Sequence, residues 1–173
     1  IKAQVRILER NLRHDWPELA AWIIKLKLNI SGEDERDLQA FLNAVTKANL
    51  VIANGMGGIT DSFPEYAAEL LETLWLAQKN SIPTAMVGQA IGPLNNPTLR
   101  HLAKRVLPNV DFISLREERA SRPLLRALGV SDQRILTTGD DAIELAQTNY
   151  VDQLGQGLGI NMRAASYSEV DQK

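Results

Sequence analysis

The sequence predicts an α/β fold: a doubly wound parallel sheet with flanking helices. Three observations predict it. Short apolar runs recur at 50–53, 84–87, 112–115 and 134–137, each of strand length. Segments with apolar residues at helical spacing separate them. Each run then opens into a turn rich in glycine or polar residues. Such alternation with short loops requires right-handed crossovers, and hence parallel strands. Ligands of these sheets bind beyond the carboxyl ends of the strands. The turns at 54–61, 88–93, 116–117 and 139–141 should therefore gather on one rim.

Residues 1–30 fit more than one pattern. Val5, Ile7, Leu8 and Leu12 could line a helix, and 22–28 suits a helix or a strand. A polar turn covers 32–37. Leu38, Phe41, Leu42 and Val45 then fall at helical spacing. The run 50–53 is almost continuously apolar, as expected of a strand covered on both faces. Ser62 and Glu65 have the spacing of a capping box, which predicts a helix start at Ser62. Ala67, Leu70, Leu71, Leu74 and Ala77 form its apolar stripe. After the strand at 84–87, Asn96 and Pro97 predict an N-cap and first helical residue. Leu99, Leu102, Ala103 and Val106 face inward from that helix. The next helix runs to Leu128, where Gly129 stops it in the left-handed region. Pro123 belongs in its first turn, because a mid-helix proline costs about 3 kcal/mol. The polar stretch 153–156 reads as a linker, and 157–163 as a fresh strand. The expected division is a domain over 1–154, then a linker and first strand of a second domain over 155–173.

Composition excludes several classes of function. The chain has 173 residues, 45% hydrophobic and 23% charged, with net charge −2. That is ordinary for a globular protein and long enough for one core. There is no basic stripe for a nucleic-acid backbone, and aromatic residues are too few for stacking platforms, so no nucleic-acid partner is expected. Cysteine is absent, which removes disulfides, thiol nucleophiles and thiolate metal sites. The two histidines, His14 and His101, lie in no metal-binding spacing. No run approaches the roughly 18–20 apolar residues of a membrane span, and no signal peptide is visible. The expected location is cytoplasmic, with no membrane span and no metal.

Each candidate site residue has two readings. Gly55, Gly57 and Gly58 follow a strand and precede a helix, a setting whose free N–H groups suit an anion. They also serve simply to allow a tight turn. Asp61 could accept bonds from sugar hydroxyls or support the helix start beside Ser62. Gln89, between Gly88 and Gly92, can donate to and accept from a hydroxyl-rich ligand, or tie its own loop. Arg116 could fork onto a carboxylate or phosphate, or clamp Glu117, Glu118 or Asp140. Asp140 and Asp141 read as a paired general base or as an N-cap for a helix at 142–146. Arg163, after a short apolar strand, offers a planar fork for an anion or a surface charge. His101 lies beside Lys104 and Arg105 on what reads as a solvated helix face.

Taken in order, these motifs resemble the polysaccharide pyruvyl transferase family. The matching segments are Asn54-Gly55-Met56-Gly57-Gly58 with Asp61, Gly88-Gln89-Ala90-Ile91-Gly92-Pro93, and Ile113-Ser114-Leu115-Arg116-Glu117 through Ser121 to Leu128-Gly129-Val130. Gly139-Asp140-Asp141 and the strand ending in Arg163 complete the set, which covers roughly 38–163. The resemblance implies a Rossmann-like amino-terminal domain, half of a two-domain glycosyltransferase-B-like architecture. It implies an enzyme that transfers the enolpyruvyl group of phosphoenolpyruvate to a sugar of a cell-surface or exported polysaccharide. Phosphoenolpyruvate then enters as donor substrate and no resident cofactor is expected. Partners would be that donor and a glycan acceptor, which lipid could carry; a homo-oligomer is allowed. The implied substrate-binding residues are Gly55, Gly57, Gly58, Asp61, Gln89, Gly92, Arg116 and Arg163, with the catalytic acid unassigned.

The chain departs from the family pattern in three ways. Gly55-Met56-Gly57-Gly58 stands where three adjacent glycines are usual, and Asp140-Asp141 where an aspartate-proline pair is usual. The first strand of the family's amino domain and nearly all of its carboxyl domain find no counterpart, so the chain is expected to be part of a longer protein. Two rivals share the architecture: a nucleotide-sugar glycosyltransferase or epimerase, and a non-catalytic Rossmann-like binding module.

Overall fold

A computed structural model describes residues 35–55, 57–140, 142–144, 157, 159 and 160. The chain divides into two compact units, Ile1–Lys47 and Ala48–Lys173. In the first, helix α1 spans Glu35–Thr46. It buries Val45, half-buries Leu38 and Leu42, and leaves Phe41 exposed.

The second unit alternates strands and helices. Its elements are β1 (Val51–Asn54), α2 (Pro64–Lys79), β2 (Thr84–Gln89), α3 (Pro97–Val106), β3 (Phe112–Leu115), α4 (Ser121–Ala127) and β4 (Ile135–Thr137). The strands form one parallel sheet in the order β1-β2-β3-β4. The α/β class, the parallel sheet and the flanking helices are as the sequence predicts. Among the described strands the order contains no reversal. Right-handed crossovers in one direction put every connecting helix on the same face, and burial agrees; the second helical layer expected of a doubly wound sheet is not among this unit's described elements. Ala53, Met86, Ile113 and Ile135 lie in register across the sheet and join the core with Leu71 and Leu74 of α2, Leu99 and Leu102 of α3, and Leu125 of α4. Each such large side chain, taken out of water, contributes about 1.5–3 kcal/mol.

The other face of the strands is more open. Ile52 is 54% exposed, Phe112 41% and Leu136 52%. The expectation that the first strand is covered on both faces is thus corrected. Side chains alternate along a strand, so Ala53 enters the core while Ile52, one residue earlier, points the opposite way.

The helix starts follow local chemistry. Asn96 caps α3, its Oδ1 accepting from the N–H groups of Thr98 and Leu99 at 3.0 and 3.2 Å, with Pro97 first in the helix. The capping box expected at Ser62 does not form. Helix α2 starts later, at Pro64, with Phe63 as N-cap and no side-chain cap bond. Proline presets the helical φ and lacks an N–H that would need a partner, so the start moves to it. The stripe of α2 buries Ala67, Ala68, Leu71, Leu74 and Ala77, while Leu70 is only partly buried against the core. Helix α4 places Pro123 in its first turn, and Gly129 follows it at φ +94°. The domain boundary expected after residue 154 lies outside the described residues.

Candidate functional site

Four strand ends meet because their loops bond directly to one another or to a neighbouring strand end. Beyond β1 and β2, Ile59 and Ile91 form a parallel bridge, and the Gly92 N–H donates to the Ile59 carbonyl at 2.8 Å. The Asp61 N–H donates to the Pro93 carbonyl at 2.9 Å. Beyond β3, the Arg116 N–H donates to the Gln89 carbonyl at 2.9 Å, and the Thr138 N–H reaches Leu115 at 2.9 Å. The backbone therefore stitches the turns after β1, β2, β3 and β4 into one rim.

The glycines have different neighbours. A Cβ on Gly55 would lie 2.1 Å from the Gly88 carbonyl oxygen and 2.5 Å from that of Val87. Its lack of a side chain lets two backbones touch. A Cβ on Gly58 would lie 2.3 Å from Cε1 of Tyr66, so that ring covers it. Gly57 differs from both. Its φ is +63°, and a Cβ there would lie 2.7 Å from Nη2 of Arg116. The guanidinium thus occupies the space a side chain would fill.

Arg116 also meets Asp140 from the turn after β4, with Nη1 to Oδ2 at 3.6 Å. Their side chains are 36% and 47% exposed. An exposed pair of this kind contributes about 0–1 kcal/mol, so an incoming anion can compete with Asp140 for the fork. Asp140 has a second task. Its Oδ1 accepts from the Ala142 N–H at 3.0 Å, as in the capping reading. Asp141 lies outside the described residues.

Other candidates are tied into the scaffold. Gln89 is buried, and its amide donates to the carbonyls of Ala53 at 2.9 Å and Val87 at 3.1 Å. Asp61 does not serve Ser62. Its carboxylate accepts from the N–H groups of Asn95 and Asn96 at 2.5 and 3.1 Å, joining the β1 turn to the start of α3. Gly92, at φ +104°, ends in a cis peptide to Pro93. A Cβ on it would lie 2.7 Å from Cδ2 of Leu124. His101 is exposed on α3. Arg163 and His14 lie outside the described residues.

Along its whole length the chain carries one family signature: it matches the polysaccharide pyruvyl transferase family over residues 3–173. The chain belongs to that family. No curated protein and no solved structure matches it. Membership makes it a transferase of polysaccharide biosynthesis, with a polysaccharide acceptor.

A seryl-glutamyl brace supports the rim, and reading residues one by one missed it. Glu117 accepts from the N–H groups of Ala120 and Ser121 at 2.9 and 2.8 Å and from the Ser121 hydroxyl. The Ile91 N–H in turn donates to Ser121 Oγ at 2.9 Å, so the brace fixes the β2 turn. The Gly88 N–H is held likewise by Ser114 Oγ at 2.8 Å. The spacing Ser114, Glu117, Ser121 was the available signal. Burial pushes the Glu117 carboxyl upward, but the bonds from Ala120 and Ser121 outweigh it and hold its pKa below the usual glutamate value. Among the described residues, no group of three His, Asp or Glu side chains could hold a metal ion, and no helix is long and apolar enough to cross a membrane.

Proposed function

We propose that this protein uses phosphoenolpyruvate as donor and builds a pyruvate ketal on a sugar of a cell-surface or exported polysaccharide. One observation carries the reading: the Arg116 guanidinium lies over the bare backbone of Gly57, at the strand rim, and among the described residues its ion pair is the exposed contact with Asp140. A planar fork suits the carboxylate or phosphate of such a donor. Gly55, Gly58, Gly92, Asp61 and Gln89 shape and brace the loops around it, and Arg163 is proposed as a second donor contact.

The chemistry proceeds as follows. An acid protonates the methylene carbon, leaving an oxocarbenium-like carbon beside the carboxylate. A sugar hydroxyl attacks that carbon and loses its proton. A second hydroxyl of the same sugar then closes the ketal as inorganic phosphate departs. Negative charge moves onto the phosphate during departure, and a fixed guanidinium stabilises it most at that moment.

The test is phosphate release by the full-length protein from phosphoenolpyruvate in the presence of candidate glycans, with the ketal detected by mass spectrometry. Arg116→Gln should lower kcat/KM by roughly 10–100-fold, the worth of one charge-assisted contact. Glycosyl transfer from a nucleotide sugar with release of its nucleoside diphosphate and no ketal, or a fully active Arg116→Gln variant, would refute the proposal.

A further inference from the structure

At the opposite pole of the sheet lies a cleft of about 540 Å³, lined by Trp75, Lys79, Ser81, Arg105, Asn109 and Asp111 among others. It sits where α2 and α3 end and β2 and β3 begin. The strand β2 has six residues, so this cleft is roughly 17 Å from the rim along the sheet. Its volume falls in the range of small-ligand sites.

Its charge arrangement is unusual. Lys79 Nζ lies 5.5 Å from the centre of the Trp75 ring, and Arg105 Cζ lies 4.9 Å from the same centre. Two cations thus converge on one indole. Among the described residues, neither forms an ion pair, and Arg105 Nε is buried without a hydrogen-bond partner. The one acidic residue of the lining, Asp111, is engaged in the wall, its Oδ2 accepting from the Thr84 N–H at 2.9 Å. Cations near helix C-termini do complement the helix dipole. That benefit needs one charge per helix and gives no reason for both to share a ring. Holding two like charges together costs free energy unless an anion joins them, and the indole fixes both in advance.

We propose that this cleft binds an acidic sugar, one bearing a carboxylate or a phosphate, on the polysaccharide acceptor. Lys79 and Arg105 take the anionic group, while the Ser81 hydroxyl and the Asn109 amide oxygen face the hydroxyls, the Asn109 Nδ2 donating to the Arg105 carbonyl at 2.9 Å. The product of pyruvyl transfer is itself a carboxylate-bearing sugar, so units already modified would fit the same cleft. The inference rests on the family's polysaccharide acceptor but not on the donor.

The experiment titrates the full-length protein with three probes by calorimetry: an oligogalacturonate, a phosphorylated hexose and a neutral malto-oligosaccharide. Lys79→Gln, Arg105→Gln and the rim variant Arg116→Gln are compared. At least one acidic probe should bind, and either cleft variant should weaken that binding about tenfold, more than Arg116→Gln does. Whichever acidic probe responds identifies the anion. Lys79 is exposed, so Lys79→Gln reports even if Arg105→Gln fails to fold. No binding of either acidic probe, equal binding of the neutral one, or loss only in Arg116→Gln overturns the proposal. Phosphate release with a small neutral acceptor should be unchanged in Lys79→Gln. If that release is absent while the acidic probe binds through Lys79, the donor reading fails and this inference stands.

Discussion

Gly55→Ala should be the most damaging small change at the rim. Its Cβ would lie 2.1 Å from the Gly88 oxygen, 2.4 Å from the Gly88 carbonyl carbon and 2.5 Å from the Val87 oxygen. An ordinary carbon–oxygen contact is well over 3 Å, so something must move by about 1 Å. The obstructing atoms are backbone, not a flexible side chain. They belong to the end of β2, where Asn54 pairs with Val87 and the Gly88 N–H is held by Ser114. Moving that strand end sacrifices one or two hydrogen bonds at about 1 kcal/mol each, on top of overpacking strain of about 1–3 kcal/mol. The sum is roughly 2–5 kcal/mol. For a chain of this size each kcal/mol lowers Tm by about 2–4 °C. Thermal denaturation followed by circular dichroism should therefore show a fall of roughly 4–20 °C. A change within about 0.5 kcal/mol would mean that β1 and β2 do not approach as closely as this, and the account of the rim would be wrong.

The remaining predictions concern its neighbours and the helix ends. Gly57→Ala meets only the tip of Arg116, which can swing aside, so its stability cost should stay near the 1–2 kcal/mol of a left-handed residue. Its main effect should be a raised KM for the donor, and an unchanged KM would separate Arg116 from donor binding. Glu117→Gln should cost about 1–2 kcal/mol at pH 7, where the carboxylate accepts three bonds. Because the folded pKa of Glu117 is depressed, its contribution is present above the unfolded value of about 4.3 and fades as pH falls through the folded one. Denaturant melts of variant and wild type should therefore converge as the pH falls below the usual glutamate range, and a constant gap would exclude a charged brace. Ser81→Gly should raise stability by about 1 kcal/mol. Ser81, at φ +58°, holds the glycine position of a C-terminal cap in which the Ile82 N–H reaches Ala77 and the Ser81 N–H reaches Gln78, at 3.0 and 3.1 Å. A loss in its urea midpoint would refute that geometry.

Strand and helix positions were legible because they depend on local signals. Phe112–Leu115 is the run of apolar residues read from the sequence, and Asn96-Pro97 capped a helix as its chemistry dictates. Ser62 and Glu65 misled because a proline two residues after the serine offered a better start, a competition that the spacing rule ignores. The sequence could also not say which face of β1 lies open. Ile52 and Ala53 are both apolar, and only the direction of successive crossovers decides which enters the core.

The site was legible as a set of loops but not as a set of roles. Gly55, Gly57 and Gly58 look alike in sequence, yet one admits a backbone, one a guanidinium and one a tyrosine ring. Asp61 and Gln89 have the hydrogen-bonding capacity of sugar-binding groups, and both expend it on backbone. That is physically reasonable. A rim made of four separate loops must satisfy its own peptide groups before it can hold a ligand still. Polar side chains nearest the backbone are consumed first, and the long, half-exposed Arg116 is left with donors to spare. A polar residue in such a turn is thus a better candidate for ligand contact the further its functional group reaches from its own main chain. Arg116→Lys separates this idea from simple charge. It keeps the charge and much of the reach but loses the fork, so kcat/KM should stay well below wild type. Full activity in that variant would show that charge alone is what the rim supplies.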